Sequence, residues 1–395
     1  MAMKILTHAF HRIFPKRLEG YLKIHDALKE DQLRVLLFVD AFGPTAQINW
    51  SRPLGRAREK GSCALWVFEE KEIEARARKH GSEKLRRDLK VLVEAMRPDV
   101  IVGSRYGGVS AAIILEAARA AGVPVIFHID DNLLAVPAEL GAAKVARYGA
   151  PKRQEALKLL LNESDLVYVS TERLFHQLIS AGIQPRRHFV GAIAGGVDMV
   201  PSLPPQASGR PLKIGYMASS SHSHDLAPLL PTLERILDEH REIEFELFGS
   251  IQMPPQLNGR GCSHHLAISD YGEFIQALAA LQWDIALAPL RLTDFNLAKT
   301  NTKWIEYTAA GIPVVCSAHP VYEEVGASGA ALMASSDLDW YNCLVSLIES
   351  PDRRQALLGT AQTVLKDRYS VSHLRQQLGA LFTTAGIAEK AHRLL

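Results

Sequence analysis

The sequence predicts an α/β protein built from two parallel-sheet domains that face each other across a cleft. Three observations carry this expectation. Short apolar runs alternate with amphipathic helical stretches along most of the chain. The series breaks once, at Gly195–Gly209, where adjacent glycines, several prolines and no periodicity read as a linker. The length of 395 residues is enough for roughly two or three domains.

In the first half, Arg34–Asp40 and Ala64–Phe68 read as buried strands. A helix closing with Val91–Met96 stops before Pro98, and Asp99–Gly103 is the third strand. Val109–Ala121 is helical, Pro124–Ile129 and Asp165–Ser170 are strands, and Glu172–Ser180 is a helix. After the linker, Leu212–Met217 and Ile243–Phe248 are strands on either side of a helix over Leu226–His240. Phe274–Leu281 is a helix, Asp284–Leu290 and Val314–Ser317 are strands, and Leu338–Glu349 and Asp352–Tyr369 are terminal helices. The expected domains are residues 1–198 and 212–395, joined by residues 199–211. Open parallel sheets bind ligands beyond the carboxyl ends of their strands, so the facing strand ends line the expected cleft.

Composition narrows the function classes. A formal net charge of +2 provides no bulk attraction for nucleic acid. Cys63, Cys262, Cys316 and Cys343 are scattered and form no CxxC, which fits a reducing, cytoplasmic setting and no metal site. No apolar run reaches the length of about 18 residues that spans a bilayer, and the N-terminus lacks the compact apolar core of a signal peptide. Met3–Leu18 interleaves Ile5, Leu6, Phe10, Ile13 and Phe14 with Lys4, Arg12, Lys16 and Arg17. Such a basic amphipathic helix either packs on its own domain or lies on an anionic membrane, here the inner face.

The segment that carries chemistry is Asp294–Val315, directly after the apolar run Trp283–Leu290. It reads as a polar loop, an amphipathic helix, a Gly311 turn and a buried strand opened by Pro313. Asn301 is a candidate N-cap, Lys299 lies just before it, and Glu306 lies further into the helix. A helix N-terminus beside a Lys suits a diphosphate, and a carboxylate deeper in suits sugar hydroxyls. Glu306, Ala310, Gly311, Pro313, Val314 and Val315 resemble the donor-site signature of retaining GT-B glycosyltransferases, the glycogen-synthase-like family 4. The first of that family's two signature Glu falls on Ala298. Phe295, Asn296, Lys299, Lys303, Glu306 and Tyr307 resemble a subgroup found in surface-polysaccharide gene clusters.

The resemblance implies a GT-B fold of two Rossmann-like domains, acceptor-binding first and donor-binding second. It implies Glu306 on the donor ribose, and Lys299 as the main diphosphate charge because Met217–Asp225 holds no Arg or Lys. In that loop Ser219 and Ser220 permit close approach of phosphate, and His222 is a further donor contact. Gly249, at a strand end, is a candidate base-binding edge. Asn296 is preferred over Asp294 to orient the transferred sugar in place of the missing Glu. In the first domain, Phe127–Asn132 resembles the family's acidic strand-end motif, with His128 and Asp130 as the catalytic region and Asp131 at the acceptor. Arg105 follows the third strand and is a second acceptor contact. Gly103 and Gly108 are spaced as in a phosphate loop, but Val109 replaces the Lys that a nucleotidase requires. Gly195–Asp198 resembles the family hinge, with Ala194 in place of Asn.

The expected activity is transfer of a sugar from a nucleotide-diphosphate-sugar to a glycan or lipid-linked glycan, with retention and with no cofactor or metal. Two alternatives remain: a nucleotide-sugar epimerase on the same fold, and a silent sugar-nucleotide-binding partner subunit.

Overall fold

The computed structural model describes residues 22–29, 31–191 and 209–394. The amphipathic segment at 3–18, the hinge at 195–198 and most of the linker lie outside the described residues. Counting described residues, one unit holds the chain as far as 136 with 143–191 and 372–394, and the other holds 137–142 and 209–371.

The first unit is built on β1 (Leu22–His25), β2 (Leu33–Val39), β3 (Cys63–Glu69), β4 (Val100–Ser104), β5 (Val125–Ile129), β6 (Leu166–Val169) and β7 (His188–Val190). They form one sheet in the order β1-β3-β2-β4-β5-β6-β7, parallel except for β1 against β3. The chain runs one way from β2 to β3 and the other way from β4 onward, so the order reverses between β2 and β4. Every residue of β3, β4 and β5 is buried, as expected for strands covered by helices on both faces.

The second unit holds β8 (Leu212–Ala218), β9 (Ile243–Gly249), β10 (Cys262–Leu266), β11 (Ile285–Ala288), β12 (Val314–Ser317) and β13 (Leu332–Ala334). Their order is β10-β9-β8-β11-β12-β13, all parallel, with the reversal between β8 and β11. Gly215 in β8 is required by packing, because a Cβ there would fall 1.8 Å from the Trp283 ring. The Trp283 indole N–H in turn donates to Glu246 Oε2 at 2.7 Å.

The C-terminus departs from the expected 212–395 domain. Helix Val371–Thr384 buries Leu374, Leu378, Leu381 and Phe382, and Leu378, Leu381 and Phe382 join β2, β3 and Trp50 in the core of the first unit. Their spacing makes one apolar stripe, and the sheet face beside β2 supplies a surface of matching character. Sequence order alone does not reveal which unit such a stripe covers. Among the described residues, no helix is long and apolar enough to cross a membrane.

Phe382→Ala should cost about 3–5 kcal/mol. Hydrogen exchange should show the loss on β2 and β3 amides, with β8 and β9 still protected. Equal loss in both sheets would contradict the assignment of this helix to the first unit.

Candidate functional site

In the second unit the loops after β8 and β11 flank the reversal of strand order, the place where open parallel sheets bind ligands. One carboxylate joins them. Asp225 Oδ1 accepts the Arg291 amide at 3.0 Å and Asn296 Nδ2 at 3.2 Å, and Oδ2 meets His222 Nδ1 at 2.8 Å. Asn296 Nδ2 also donates to the Arg291 carbonyl at 3.0 Å. The expected polar loop contains a helical turn, Asp294–Leu297, capped by Thr293 Oγ1, which accepts the Asn296 amide at 3.2 Å. Asn296 is therefore buried, with its side-chain nitrogen committed to joining the loops. Asn296, expected to orient the transferred sugar, thus joins the two loops through this nitrogen. Asp294 is exposed on the same turn. Ala298, the expected first-Glu position, is 1% exposed and thus enclosed by protein.

The signature helix runs over Thr302–Ala309, with Asn301 at the N-cap but no side-chain cap bond. Its first amides keep the unmet donors of a helix start. Lys303 lies in its first turn, with Nζ 5.5 Å from the centre of the Tyr216 ring. Lys299 Nζ lies 4.9 Å from the Phe295 ring centre. Glu306 is buried, and burial pushes its carboxyl above the ordinary range against the pull of Lys303 and the Tyr271 hydroxyl. Burial lowers the Lys303 ammonium, opposed by Glu306 and Asp225 and aided by Lys299.

The nearby charge of Lys303, and then burial, bring His222 down to about 4, against the stabilising contact with Asp225. Burial alone would raise Asp225, but the His222 contact and the Arg291 amide hold it below its ordinary value. At neutral pH the imidazole is therefore uncharged and the carboxylate ionised, so Nδ1–H is the donor between them. The expected diphosphate contact at His222 is thus a neutral group.

The β8 loop presents Ser219 and Ser220 to solvent. Ser219 and Ser221 hydroxyls lie 2.8 Å apart, and the Ser220 amide donates to Ser250 Oγ at 3.1 Å. Gly249 has φ +125°, and a Cβ there would come 2.2 Å from the Ala218 carbonyl. Glycine is needed at that position because the adjacent strand end crowds it.

In the first unit the strand ends carry an ionic cluster. Arg105 has a left-handed φ of +55° and follows β4. Its Nη1 donates to Asp130 Oδ1 and, at 3.0 Å, to Asp131 Oδ2, while Nε lies 3.9 Å from Asp40 Oδ2. Thr45 Oγ1 donates to Asp130 Oδ2 at 3.0 Å, and the Tyr148 hydroxyl donates to Asp40 Oδ2 at 3.1 Å. The structure thus brings Arg105, Asp130 and Asp131 together, with Asp40, Thr45 and Tyr148 beside them. Asp40 carried a signal that was missed: a carboxylate closing an apolar run.

His128 is a correction. It is 0% exposed, its Nδ1 lies 2.9 Å from Ser104 Oγ, and its ring sits between Trp50 and Tyr168 at centroid distances of 5.6 Å and 4.7 Å. Alternation put it on one strand face with Asp130, but both faces of this sheet are covered. A ring inside the core touches no substrate, so His128 leaves the catalytic set. Burial brings it down to about 4.

No protein-family model matches the chain, and no curated protein matches it. Solved structures do. The chain is similar to HepE of Anabaena in complex with UDP-glucose, at 15% identity and TM-score 0.60, covering 89% of this chain and 99% of that one. Sucrose-phosphate synthase of Thermosynechococcus elongatus aligns at 13% identity and TM-score 0.62, covering 90% and 100%. A UDP-N-acetylglucosamine 2-epimerase described as putative, from Listeria monocytogenes, aligns at 12% and TM-score 0.51, covering 89% and 96%. At such identities the likeness is one of fold. The chain has the GT-B fold of two Rossmann-like domains.

Two outcomes follow from the buried groups. His128 is neutral in the folded state, whereas the unfolded chain takes up its proton near 6.5. Its contribution is complete above pH 6.5 and is lost as the pH falls toward 4, on the order of 3 kcal/mol. Urea unfolding at a series of pH values should therefore show a flatter profile for His128→Gln than for the native chain. Parallel profiles would refute this. Asn296→Ala deprives Asp225 Oδ1 and the Arg291 carbonyl of a shared donor and should cost about 1–3 kcal/mol in the same assay. A change within error would mean that Asn296 does not join the loops.

Proposed function

We propose that the protein is a glycosyltransferase that moves a sugar from a nucleotide-diphosphate-sugar to a hydroxyl of a glycan or glycolipid. The observation that carries this reading is the switch-point site of the second unit. There, the signature helix begins with unmet amides and Lys303, carries a buried Glu306 one turn on and follows Lys299, and the β8 loop exposes two serines. Cations and amides suit a diphosphate, and the carboxylate suits ribose hydroxyls. HepE is bound to UDP-glucose, which supports a uridine donor here. Stabilisation of the departing nucleoside diphosphate would supply much of the rate.

Transfer proceeds with retention and without metal. His222 is paired with Asp225, and His224 is exposed. The acceptor belongs to the first unit, where Asp130, Asp131 and Asp40 offer carboxylate oxygens to hydroxyls. Arg105 orders these carboxylates and is already engaged by them, which favours a neutral acceptor over a phosphorylated one. Work on surface polysaccharide in the cytoplasm, with residues 3–18 meeting the inner membrane face, completes the reading. The epimerase neighbour supports one second reading on the same fold, and sugar conversion without any acceptor would identify it.

A thermal-shift screen with UDP-, GDP- and dTDP-sugars tests the donor class, since a ligand of the native state raises its melting temperature. UDP-sugars should raise it, and no shift with any of the three would overturn the reading. Glu306→Gln should then raise the donor KM more than it lowers kcat, because ribose binding is shared by ground and transition states. A kcat loss at unchanged KM would place Glu306 in the chemical step instead.

A further inference from the structure

Asn301 stands where a helix cap belongs, yet its side chain caps nothing. It is buried at the start of the signature helix, with φ -79° and ψ 29°, outside the extended region that a capping residue adopts. Its side chain is bonded instead to Tyr369, the residue that closes helix Pro351–Arg368. Tyr369 is itself buried, with its ring edge-on to Trp304 of the signature helix at 5.6 Å. The Trp304 indole N–H donates to the Ala330 carbonyl at 2.9 Å, which fixes that ring. The direction of the Asn301 contact follows from the other partner of the phenol. The Tyr369 hydroxyl donates to Glu324 Oε2 at 3.1 Å, and Arg368 pairs with the other oxygen of that carboxylate. With its proton directed to Glu324, the phenolic oxygen accepts from the Asn301 amide nitrogen. Burial pushes the phenol up to about 12, and the Asn301 contact pulls the other way, as a donor to that oxygen does.

The consequence falls on the helix start. A capping side chain at position 301 would accept the amide of Lys303 or Trp304. With Asn301 drawn to Tyr369, those two amides keep the unmet donors that an oxyanion can take. We propose that Tyr369 is a positioning residue of the donor site: it holds Asn301 off the signature helix and so keeps the helix amides open to the nucleotide donor. The inference rests on the reading of the second unit as a nucleotide-sugar site. Tyr369 touches no substrate in this role and acts through Asn301 alone.

Amide hydrogen exchange and titration calorimetry on the full chain test this. Tyr369→Phe keeps the ring and removes the phenolic oxygen, which releases Asn301 to cap. Exchange at the Lys303 and Trp304 amides should then slow relative to the native chain. Of UDP, GDP and dTDP, the probe that the native chain binds should bind Tyr369→Phe about fivefold more weakly, because the cap must be displaced. Tyr369→Phe combined with Asn301→Gly should recover most of that loss, since glycine has no side chain to cap with. A Tyr369 that served packing alone would show no such recovery. If Tyr369→Phe fails to fold, position 301 decides by itself. Serine is too short to reach Tyr369 and caps well, so Asn301→Ser should bind the probe more weakly than Asn301→Gly. Exchange that does not slow in Tyr369→Phe, no recovery in the double variant, or equal affinities of Asn301→Ser and Asn301→Gly would each overturn the assignment while leaving the donor-site reading standing. A native chain that binds none of the three probes overturns that reading, and the exchange result still decides what Tyr369 does.

Discussion

The second unit's site depends on the carboxylate of Asp225. Its two oxygens meet the Arg291 amide, the Asn296 side chain and the His222 ring, so groups from both sides of the strand-order reversal close on one side chain. The consequences run along the chain. The Arg291 amide sets where the β11 loop turns, and Thr293 then caps the short helix that carries Asn296. That helix delivers Ala298 and Lys299 to the start of the signature helix. The carboxylate stays ionised despite its burial because donors surround it, and it fixes the tautomer of His222. Loop geometry and local charge are thereby set by the same three contacts.

The two units use their cations in opposite ways. In the first, Arg105 turns back through a left-handed backbone and is held by Asp130 and Asp131, with Asp40 beside it. Its charge is consumed in ordering carboxylates, which are left to accept from hydroxyl groups. In the second, Lys303 rests on an aromatic face and Lys299 on another, and burial raises the Glu306 carboxyl against the pull of Lys303.

The contiguous part of the site was the legible part. Glu306, Lys299 and the Gly311 turn lie within one strand–helix–strand stretch, where spacing along a helix decides which side chains share a face. Roles that depend on a distant partner were not legible. Asn296 acts through Asp225, far away in sequence, and the neutrality of His222 comes from Lys303 across the same gap. His128 shows the converse error. Alternation tells which residues share a strand face but not whether that face meets solvent, and in a sheet covered on both sides neither does.

The sequence by itself determined the two α/β halves, because apolar runs and helical periodicity are local properties that survive without a partner. It also determined the helix that follows β11 and the Gly311 turn that ends it. Tertiary structure decided the remainder. β10, with the sequence CSHHL, is a sheet-edge strand with no apolar run to announce it, and β13 is only three residues long. Backbone pairing to β9 and β12 makes them strands. The C-terminal helix covers the first unit although it follows the second in the chain, and Asp40, Arg105 and Asp130 meet only because β2, β4 and β5 lie side by side. Such meetings are set by which surfaces remain to be buried once the sheets have formed, a property of the folded whole that no stretch of sequence carries alone.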